Sequence, residues 1–149
     1  MIIALAFAAA STLATQGIRP TPACPGQNTR EVNRCLNQRL ARADDDLSRY
    51  VTAARRRLTE EAAEGAVGPP AARDALRQFD AAEKAWSAYR EAECSAVYGY
   101  WAGGTIRNAK DLSCRIRLTR MHAHTVWQEW LTFADNTPPL LAEPSVAPD

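Results

Sequence analysis

The sequence contains little of what enzymes and nucleic-acid-binding proteins usually depend on. It has 2 histidines, and its 18 basic and 17 acidic side chains leave a net charge of +1. Such interspersed charge provides no one-signed face for a nucleic acid or a membrane surface. The sequence also lacks a nucleophile elbow and a phosphate-binding loop. We therefore expect a protein that binds a partner rather than an enzyme, with no cofactor and no nucleic-acid partner.

A metal site is not predicted either. His122 and His124 are two residues apart on a predicted helix, so they point to different faces and cannot hold one ion together. The acidic run at residues 44–46 lacks the glycine and the distal glutamate of a calcium loop. We interpret this run as solvated and paired along the helix with Arg42 and Arg49.

Hydrophobic runs are short and confined to the start of the chain. Residues 2–14 (IIALAFAAASTLA) are apolar except for one serine and one threonine, too short to cross a bilayer and of the length of a signal-peptide core. We predict a signal peptide over residues 1–14, cleaved after Ala14, and hence a secreted or periplasmic protein without stable membrane insertion. The first basic residue is Arg19, so the charged leader is missing, and a buried first helix is the alternative.

Cysteine is scarce but even in number, which is typical of a disulfide framework in a small exported chain. The alternatives are a metal site or four unrelated thiols, but no pair has the two-residue spacing of a zinc ribbon or a redox motif. Four cysteines can pair in three ways, with two bridges in each. We predict the arrangement in which each bridge closes a local loop that can bend back on a helix end. These pairs are Cys24–Cys35 and Cys94–Cys114.

Apolar residues at alternating steps of three and four predict helices and no strand. The first helical pattern begins after Asn28, which forms a relative of the capping box with Glu31, and ends near Glu64. Glycines and prolines then stop it, and the short connection makes the next helix antiparallel. We therefore expect an all-α fold, an antiparallel three-helix up-down-up bundle stapled by two disulfides.

The other two helical patterns lie on either side of a glycine-containing loop. We expect the second helix to run from about Pro70 to Tyr98, the loop to cover residues 99–111, and the third helix to extend to Ala134. The predicted organisation is a signal peptide at 1–14, an irregular lead-in at 15–27, a helical domain at 28–134 and a disordered proline-rich tail at 135–149.

The second helical pattern contains a dense motif, LRQFDAAEKAWSAYREAEC, between Leu76 and Cys94. With the cysteine spacing, it resembles the signature of the LprI-type lysozyme inhibitor domain, a family of small secreted bacterial proteins. The resemblance covers about residues 24–134. This chain departs from the family pattern at Ser48 and at His122. The motif residues that carry the resemblance include Trp86, Tyr89, Arg90, Glu93 and, in the following loop, Gly103, Gly104 and Thr105.

Within the motif we expect structural roles. Trp86 and Tyr89 lie three residues apart on one helix face, which predicts that both pack in the core. Arg90 and Glu93 are interpreted as an ion pair near the disulfide end of the bundle. The resemblance itself implies a helical domain that binds a protein partner, and one type of member inhibits lysozyme.

Inhibition would require plugging an acidic sugar-binding cleft that holds two catalytic carboxylates. A rigid protruding loop that presents hydrogen-bond donors can do this. In the loop at 99–111 we assign Trp101 as the apolar anchor, Gly103 and Gly104 with Thr105 as the turn, and Arg107 or Lys110 as the donors. The alternatives are a loop that only connects two helices, and an envelope-interaction or structural module that contacts no lysozyme. The sequence does not determine the oligomeric state.

Overall fold

The predicted signal peptide and most of the predicted lead-in lie outside the part of the chain that the structure describes. The structure is a computed structural model. It describes residues 24–26, 28–64 and 69–146, with only the backbone at residues 69, 70 and 72.

Within these ranges the chain forms three helices and no strand, as the periodicity predicts. The helices are α1 (Thr29–Glu64), α2 (Pro69–Tyr100) and α3 (Arg107–Trp130). All three pack against one another. The all-α prediction is therefore confirmed. None of the helices in the described ranges is both long and apolar enough to span a bilayer.

The first helix begins at the predicted cap. The Asn28 side chain accepts a hydrogen bond from the backbone N–H of Glu31 at 3.1 Å and donates one to the Glu31 carboxylate at 3.1 Å. This reciprocal pair satisfies one of the backbone donors that a helix N-terminus leaves unpaired. The buried stripe of α1 follows the predicted steps, and it comprises Leu36, Arg39, Ala43, Leu47, Tyr50, Ala54 and Leu58.

The core runs along this stripe in two main sections. The larger section joins α1, α2 and α3 and includes Phe79, whose ring meets the edge of Trp130 at 5.2 Å. The smaller section joins the beginnings of α1 and α3 through Leu36, Leu112 and Ile116. The starts of α1 and α3 thus lie together, which is compatible with the predicted up-down-up order. The buried members of the larger section are Leu47, Tyr50, Ala54, Leu58, Phe79, Ala123, Val126 and Leu131.

Both predicted disulfides are present at this end of the bundle. Cys24 bonds to Cys35 and packs against the smaller core section. Cys94 bonds to Cys114 and joins the last part of α2 to the first part of α3. Cys94 is fully buried, at 0% exposure. A bridge that closes a loop of this size stabilises a fold by roughly 3 kcal/mol in the chain-entropy account.

The helix ends around the predicted loop differ from the expectation. The connection is a turn of residues 101–106, because α2 continues to Tyr100 and α3 already begins at Arg107. Residues 107–111 contain neither glycine nor proline, so nothing in that segment prevents the helix from starting early. A Cβ atom at Gly99 would meet nothing within 4 Å, so this helical glycine lies in open space rather than in a close helix contact.

The third helix also ends earlier than expected, at Trp130. The guanidinium group of Arg57 on α1 donates hydrogen bonds to the carbonyl of Trp130 at 2.8 Å and to that of Thr132 at 3.1 Å. These bonds satisfy carbonyl groups that a helix C-terminus leaves without partners. The side chain of Leu131 is fully buried directly after the helix. A tertiary contact therefore sets this end, which the local sequence did not reveal.

The C-terminal segment contradicts the expectation of a disordered tail as far as it is described. Residues 131–146, here named the C-terminal strap, contain no helix or strand but fold back against the bundle. The hydroxyl of Tyr50 donates a hydrogen bond to the carbonyl of Ala142 at 2.7 Å, and Leu141 packs against the larger core section. The proline-rich composition of this segment suggested disorder. Composition does not show the groove that receives the segment, because that groove forms only when α1 and α3 pack.

Candidate functional site

The turn between α2 and α3 forms a small, internally bonded surface beside the buried disulfide. We name residues 98–110 the α2–α3 tip. The backbone N–H of Gly104 donates to the carbonyl of Trp101 at 2.8 Å, and that of Ala102 donates to Gly99 at 3.2 Å. The Cys94–Cys114 bridge lies one to two helical turns away on both flanking helices. The tip is therefore held by covalent and hydrogen bonds rather than left as an open loop.

Aromatic side chains make up much of the exposed surface of the tip. Tyr100 is 84% exposed, and its ring meets the half-buried Trp101 edge-on at 5.6 Å. Tyr98 and Ile106 are exposed as well. Exposed aromatic residues grouped at one place are typical of contact surfaces. Sequence reasoning singled out Trp101 but missed Tyr98 and Tyr100, although the run YGYW carried the signal.

The two basic residues predicted as donors lie on the first turn of α3 and are held against these rings. The Lys110 ammonium lies 5.0 Å from the centre of the Trp101 ring, and the Arg107 guanidinium lies 5.5 Å from that of Tyr98. Arg107 also donates a hydrogen bond to the carbonyl of Ala102 at 3.1 Å. Both side chains remain exposed. The tip thus combines flat apolar rings with positive charges whose positions the rings help to define.

The glycines of the tip do not have the conformational role expected of them. Neither Gly103 nor Gly104 has a backbone angle in the left-handed region. A Cβ atom at Gly103 would meet nothing within 4 Å, and at Gly104 the nearest atom would be the carbonyl oxygen of Trp101 at 3.5 Å. Thr105 is exposed in the same turn. The turn therefore depends on its hydrogen bonds and on the flanking helices rather than on glycine geometry.

Arg90 of the motif joins all three helices, but through partners other than the one expected. Its guanidinium donates to the Asp44 carboxylate of α1 at 2.6 Å and to the Thr119 hydroxyl of α3 at 2.7 Å. Thr119 is fully buried, whereas Glu93 is exposed. The expectation of an Arg90–Glu93 pair is thus wrong. The two positions are one helical turn apart, but only Arg90 faces the groove between α1 and α3.

Of the two aromatic residues of the motif, Trp86 and Tyr89, the second does not lie in the core as expected. Trp86 is half-buried, and its ring stacks on that of His122 at 4.1 Å with only 7° between the planes. His122 Nε2 in turn lies 2.9 Å from the Glu83 carboxylate. Tyr89 is 54% exposed, so its predicted core position is wrong. We name Asp44, Glu83, Trp86, Arg90, Thr119 and His122 the interhelical network.

Another cluster of charged side chains, formed by Arg115, Glu91 and Asp111, lies close in sequence to the Cys94–Cys114 disulfide. Arg115 holds the Glu91 carboxylate with two hydrogen bonds, at 2.6 and 3.0 Å, and the Asp111 carboxylate with one at 2.9 Å. Hydrogen bonding from Arg115, followed by its positive charge, lowers the pKa of Glu91 to about 2. The same bond to Glu91 raises the pKa of Arg115. This cluster ties α2 to α3 next to the tip.

The interhelical network and the α2–α3 tip differ in how their side chains are engaged. Among the described residues no group of three or more histidine, cysteine or acidic side chains is placed to hold a metal ion. The titratable side chains of the interhelical network are engaged with one another between helices rather than gathered in a cleft. Exposed rings and positive charges are gathered at the α2–α3 tip instead, so the tip is the candidate functional site.

Comparison with models of known protein families gives a match to this chain. A family model described as "Lysozyme inhibitor LprI" matches residues 22–125. The match covers more than two thirds of the chain and includes all 4 cysteines, the motif in α2 and the tip. No curated protein and no solved structure gives a significant match to the chain.

Proposed function

Since the chain belongs to the LprI family of lysozyme inhibitors, we propose that it is an extracytoplasmic binding protein that blocks the active-site cleft of a lysozyme-type muramidase. Two disulfides and the family both fit a protein of an oxidising compartment. The single observation that carries the proposal, beyond the family, is the α2–α3 tip. It presents aromatic surface and positive charge from a framework that a buried disulfide braces.

The chemistry of the tip suits the cleft of such an enzyme. Glycoside hydrolases act through two carboxyl groups that flank the sugar-binding cleft. Arg107 and Lys110 provide hydrogen-bond donors with positive charge, which make strong bonds to carboxylates. Tyr100 and Trp101 provide flat apolar surface of the kind that sugar-binding clefts accept and that dominates binding energy at protein interfaces. In this proposal the tip enters the cleft and excludes the polysaccharide.

Rigidity favours the same interpretation. A binding segment that is already ordered loses little conformational entropy when it binds. The tip meets this condition through its backbone hydrogen bonds, the contact of Lys110 with Trp101, and the disulfide between α2 and α3. The protein's net charge of +1 gives it little long-range electrostatic attraction to any partner, so local contacts at the tip have to supply the affinity.

The proposal is tested by measuring lysis of bacterial cell walls by a chicken-type and a bacterial-type muramidase in the presence of this protein. We expect the lysis rate to fall as the protein is added. Replacing both donors, Arg107→Gln with Lys110→Gln, should raise the half-inhibitory concentration at least about tenfold, since a hot-spot loss of roughly 1.4 kcal/mol has that effect. The matched control, Lys84→Gln with Arg117→Gln, removes the same charge from exposed positions outside the tip and should leave inhibition unchanged.

Two results would contradict the proposal at different levels. Unchanged lysis at a large molar excess with both enzymes would remove the muramidase as the partner, and would leave the envelope-interaction module as the function. Full inhibition by the Arg107→Gln, Lys110→Gln variant would retain the function but remove these two donors from the contact.

A further inference from the structure

The motif in α2 divides into residues that face the other helices and residues that face outward. Trp86 and Arg90 belong to the interhelical network. Tyr89 and Glu93 are exposed, Tyr89 at 54%. Within the part of the chain that the structure describes, neither of these two side chains makes a hydrogen bond, an ion pair or a ring contact. Trp86 and Arg90 thus hold helices together, whereas Tyr89 and Glu93 have no such role.

The two outward-facing residues share a face of α2 with Tyr100, which is 84% exposed. An α-helix has 3.6 residues per turn, so the interval from Tyr89 to Tyr100 completes about three turns and places both rings on one side. At a rise of 1.5 Å per residue, the two positions are about 16 Å apart along the helix axis. Glu93 and the exposed Ala96 lie between them on the same side. We name these four residues the outer face of α2.

The outer face of α2 continues into the tip without a break. The ring of Tyr100, its last residue, meets the ring of Trp101 at 5.6 Å. The opposite flank of α2 is already engaged next to the tip, because Glu91 is bound to Arg115 and Tyr98 lies beside the Arg107 guanidinium group. A contact surface that extends from the tip along α2 therefore finds unengaged aromatic and charged side chains on the outer face.

The tip by itself is smaller than a typical protein interface. A specific interface buries about 800 Å² on each partner and involves roughly 20–30 residues a side. The tip spans residues 98–110, and several of its side chains are engaged with one another. Binding energy is concentrated in a few residues of an interface, and tyrosine is enriched among them. A partner bound at the tip therefore needs a neighbouring surface as well, and the outer face of α2 offers an exposed tyrosine in line with the tip.

The charge along this extended surface changes sign. The tip presents the positive side chains of Arg107 and Lys110. The carboxylate of Glu93 on the outer face is exposed, and no basic side chain among the described residues pairs with it. Complementary charge is what determines the orientation in which two proteins associate. The surface therefore suits a partner with carboxylates in its cleft and a basic side chain at the edge of that cleft.

We propose that Tyr89 and Glu93 form a second contact with the muramidase, at the edge of the cleft that the tip enters. Tyr89 packs against the surface of the enzyme there, and Glu93 pairs with a basic side chain. This inference rests on the proposed function, since it assigns further residues to the same complex. The tip blocks the cleft, and the contact about 16 Å away along α2 fixes the orientation of the inhibitor.

The first test measures inhibition of cell-wall lysis by the chicken-type and the bacterial-type muramidase with variants of Tyr89. Tyr89→Ala should raise the half-inhibitory concentration at least about tenfold, the effect expected for a tyrosine that contributes strongly to binding. Tyr89→Phe should keep it within about threefold of the wild-type value, because the ring remains. Met121→Ala is the matched control, since Met121 is 53% exposed on α3, and it should leave inhibition unchanged.

The second test reverses the charge of Glu93. Glu93→Arg should lower the rate of association with the inhibited muramidase at least about threefold at low salt and less at high salt, as expected for a charge at the edge of an interface. Glu129→Arg makes the same change at an exposed position near the end of α3 and should leave the salt dependence unchanged. A Glu93→Arg rate equal to that of the control would remove Glu93 from the contact.

The outcomes distinguish this inference from the proposed function. If the wild-type protein inhibits neither enzyme, both fail. If it inhibits, and Tyr89→Ala inhibits as well as Met121→Ala does, this inference alone is overturned. Urea unfolding shows whether Tyr89→Ala retains native stability. If it does not, the ring resonances of Tyr89 in the wild-type protein are followed by NMR as muramidase is added; a saturable change supports the second contact, and unchanged resonances overturn it.

Discussion

Replacing Arg90 by methionine tests whether the interhelical network holds the three helices together. Arg90 donates to the fully buried hydroxyl of Thr119 and to the carboxylate of Asp44 on a different helix. The change keeps an unbranched apolar side chain but removes the guanidinium group, whose central carbon lies 5.0 Å from the centre of the Trp86 ring. The buried Thr119 hydroxyl then lacks this partner, which costs about 1–3 kcal/mol.

The ion pair itself contributes less. The Asp44 side chain is 44% exposed, so water replaces the lost partner, and a pair of this kind contributes about 0.2–1 kcal/mol. The expected loss is therefore about 1–4 kcal/mol of unfolding free energy, a substantial part of the 5–15 kcal/mol typical of a small domain. Arg77→Met is the matched control, because Arg77 is 76% exposed and, among the residues that the structure describes, pairs only with Asp74 on its own helix. We expect that control to change stability by less than about 0.5 kcal/mol.

Urea unfolding followed by tryptophan fluorescence and by circular dichroism measures both variants. Equal midpoints by the two probes would justify a two-state analysis. Thr119→Val, alone and combined with Arg90→Met, then shows whether the two side chains act together, since the losses should not add. If Arg90→Met were as stable as Arg77→Met, the network would not contribute to the fold and the reasoning would be wrong.

Two further predictions concern the end of the bundle that carries the tip. The pKa of Glu91 is lowered from 4.5 to about 2, chiefly by its hydrogen bonds from Arg115, so the stabilisation is complete above about pH 4.5 and is lost as the pH falls toward 2. We expect Glu91→Gln to lower the unfolding free energy above about pH 4.5 and to make progressively less difference as the pH falls toward 2, and a carboxyl titration by NMR with a midpoint near 4.5 would contradict this. Gly103→Ala should change the unfolding free energy by less than about 1 kcal/mol, and any change should be a gain, because a Cβ atom there meets open space and the unfolded chain loses freedom. A loss of several kcal/mol in urea unfolding would show that the turn does need glycine.

The candidate site was predictable in its location but not in its composition. The cysteine spacing and the family resemblance pointed to the connection between the second and third helices, and Trp101, Arg107 and Lys110 do lie there together. The exposure of Tyr100 was not predictable, since an aromatic residue near a helix end is as compatible with a buried position as with an exposed one. Which ring faces outward depends on how the end of the helix is rotated about its axis. The sequence of one glycine and a short turn does not define this rotation.

The partners of charged residues were the least predictable part. Local spacing suggested that Arg90 pairs with Glu93 on its own helix, whereas its partners lie 46 and 29 residues away in sequence. Periodicity shows which residues share a face of one helix, but it does not show which residue of another helix lies opposite. Arg57, which caps the end of α3, is a second case of the same kind.

The sequence by itself determined the helical class, the start of α1 and both disulfide pairs, because caps, apolar periodicity and short loops between cysteines act over neighbouring residues. Only the tertiary structure decided where α3 ends, which side chains surround Arg90, and that the proline-rich C-terminal segment lies in a groove. Each of these depends on groups that are distant in the chain and meet only after the helices have packed. The strap is held by hydrogen bonds from Tyr50 on α1 and Trp127 on α3. Since both residues lie outside the strap, the composition of the strap does not indicate that it is ordered.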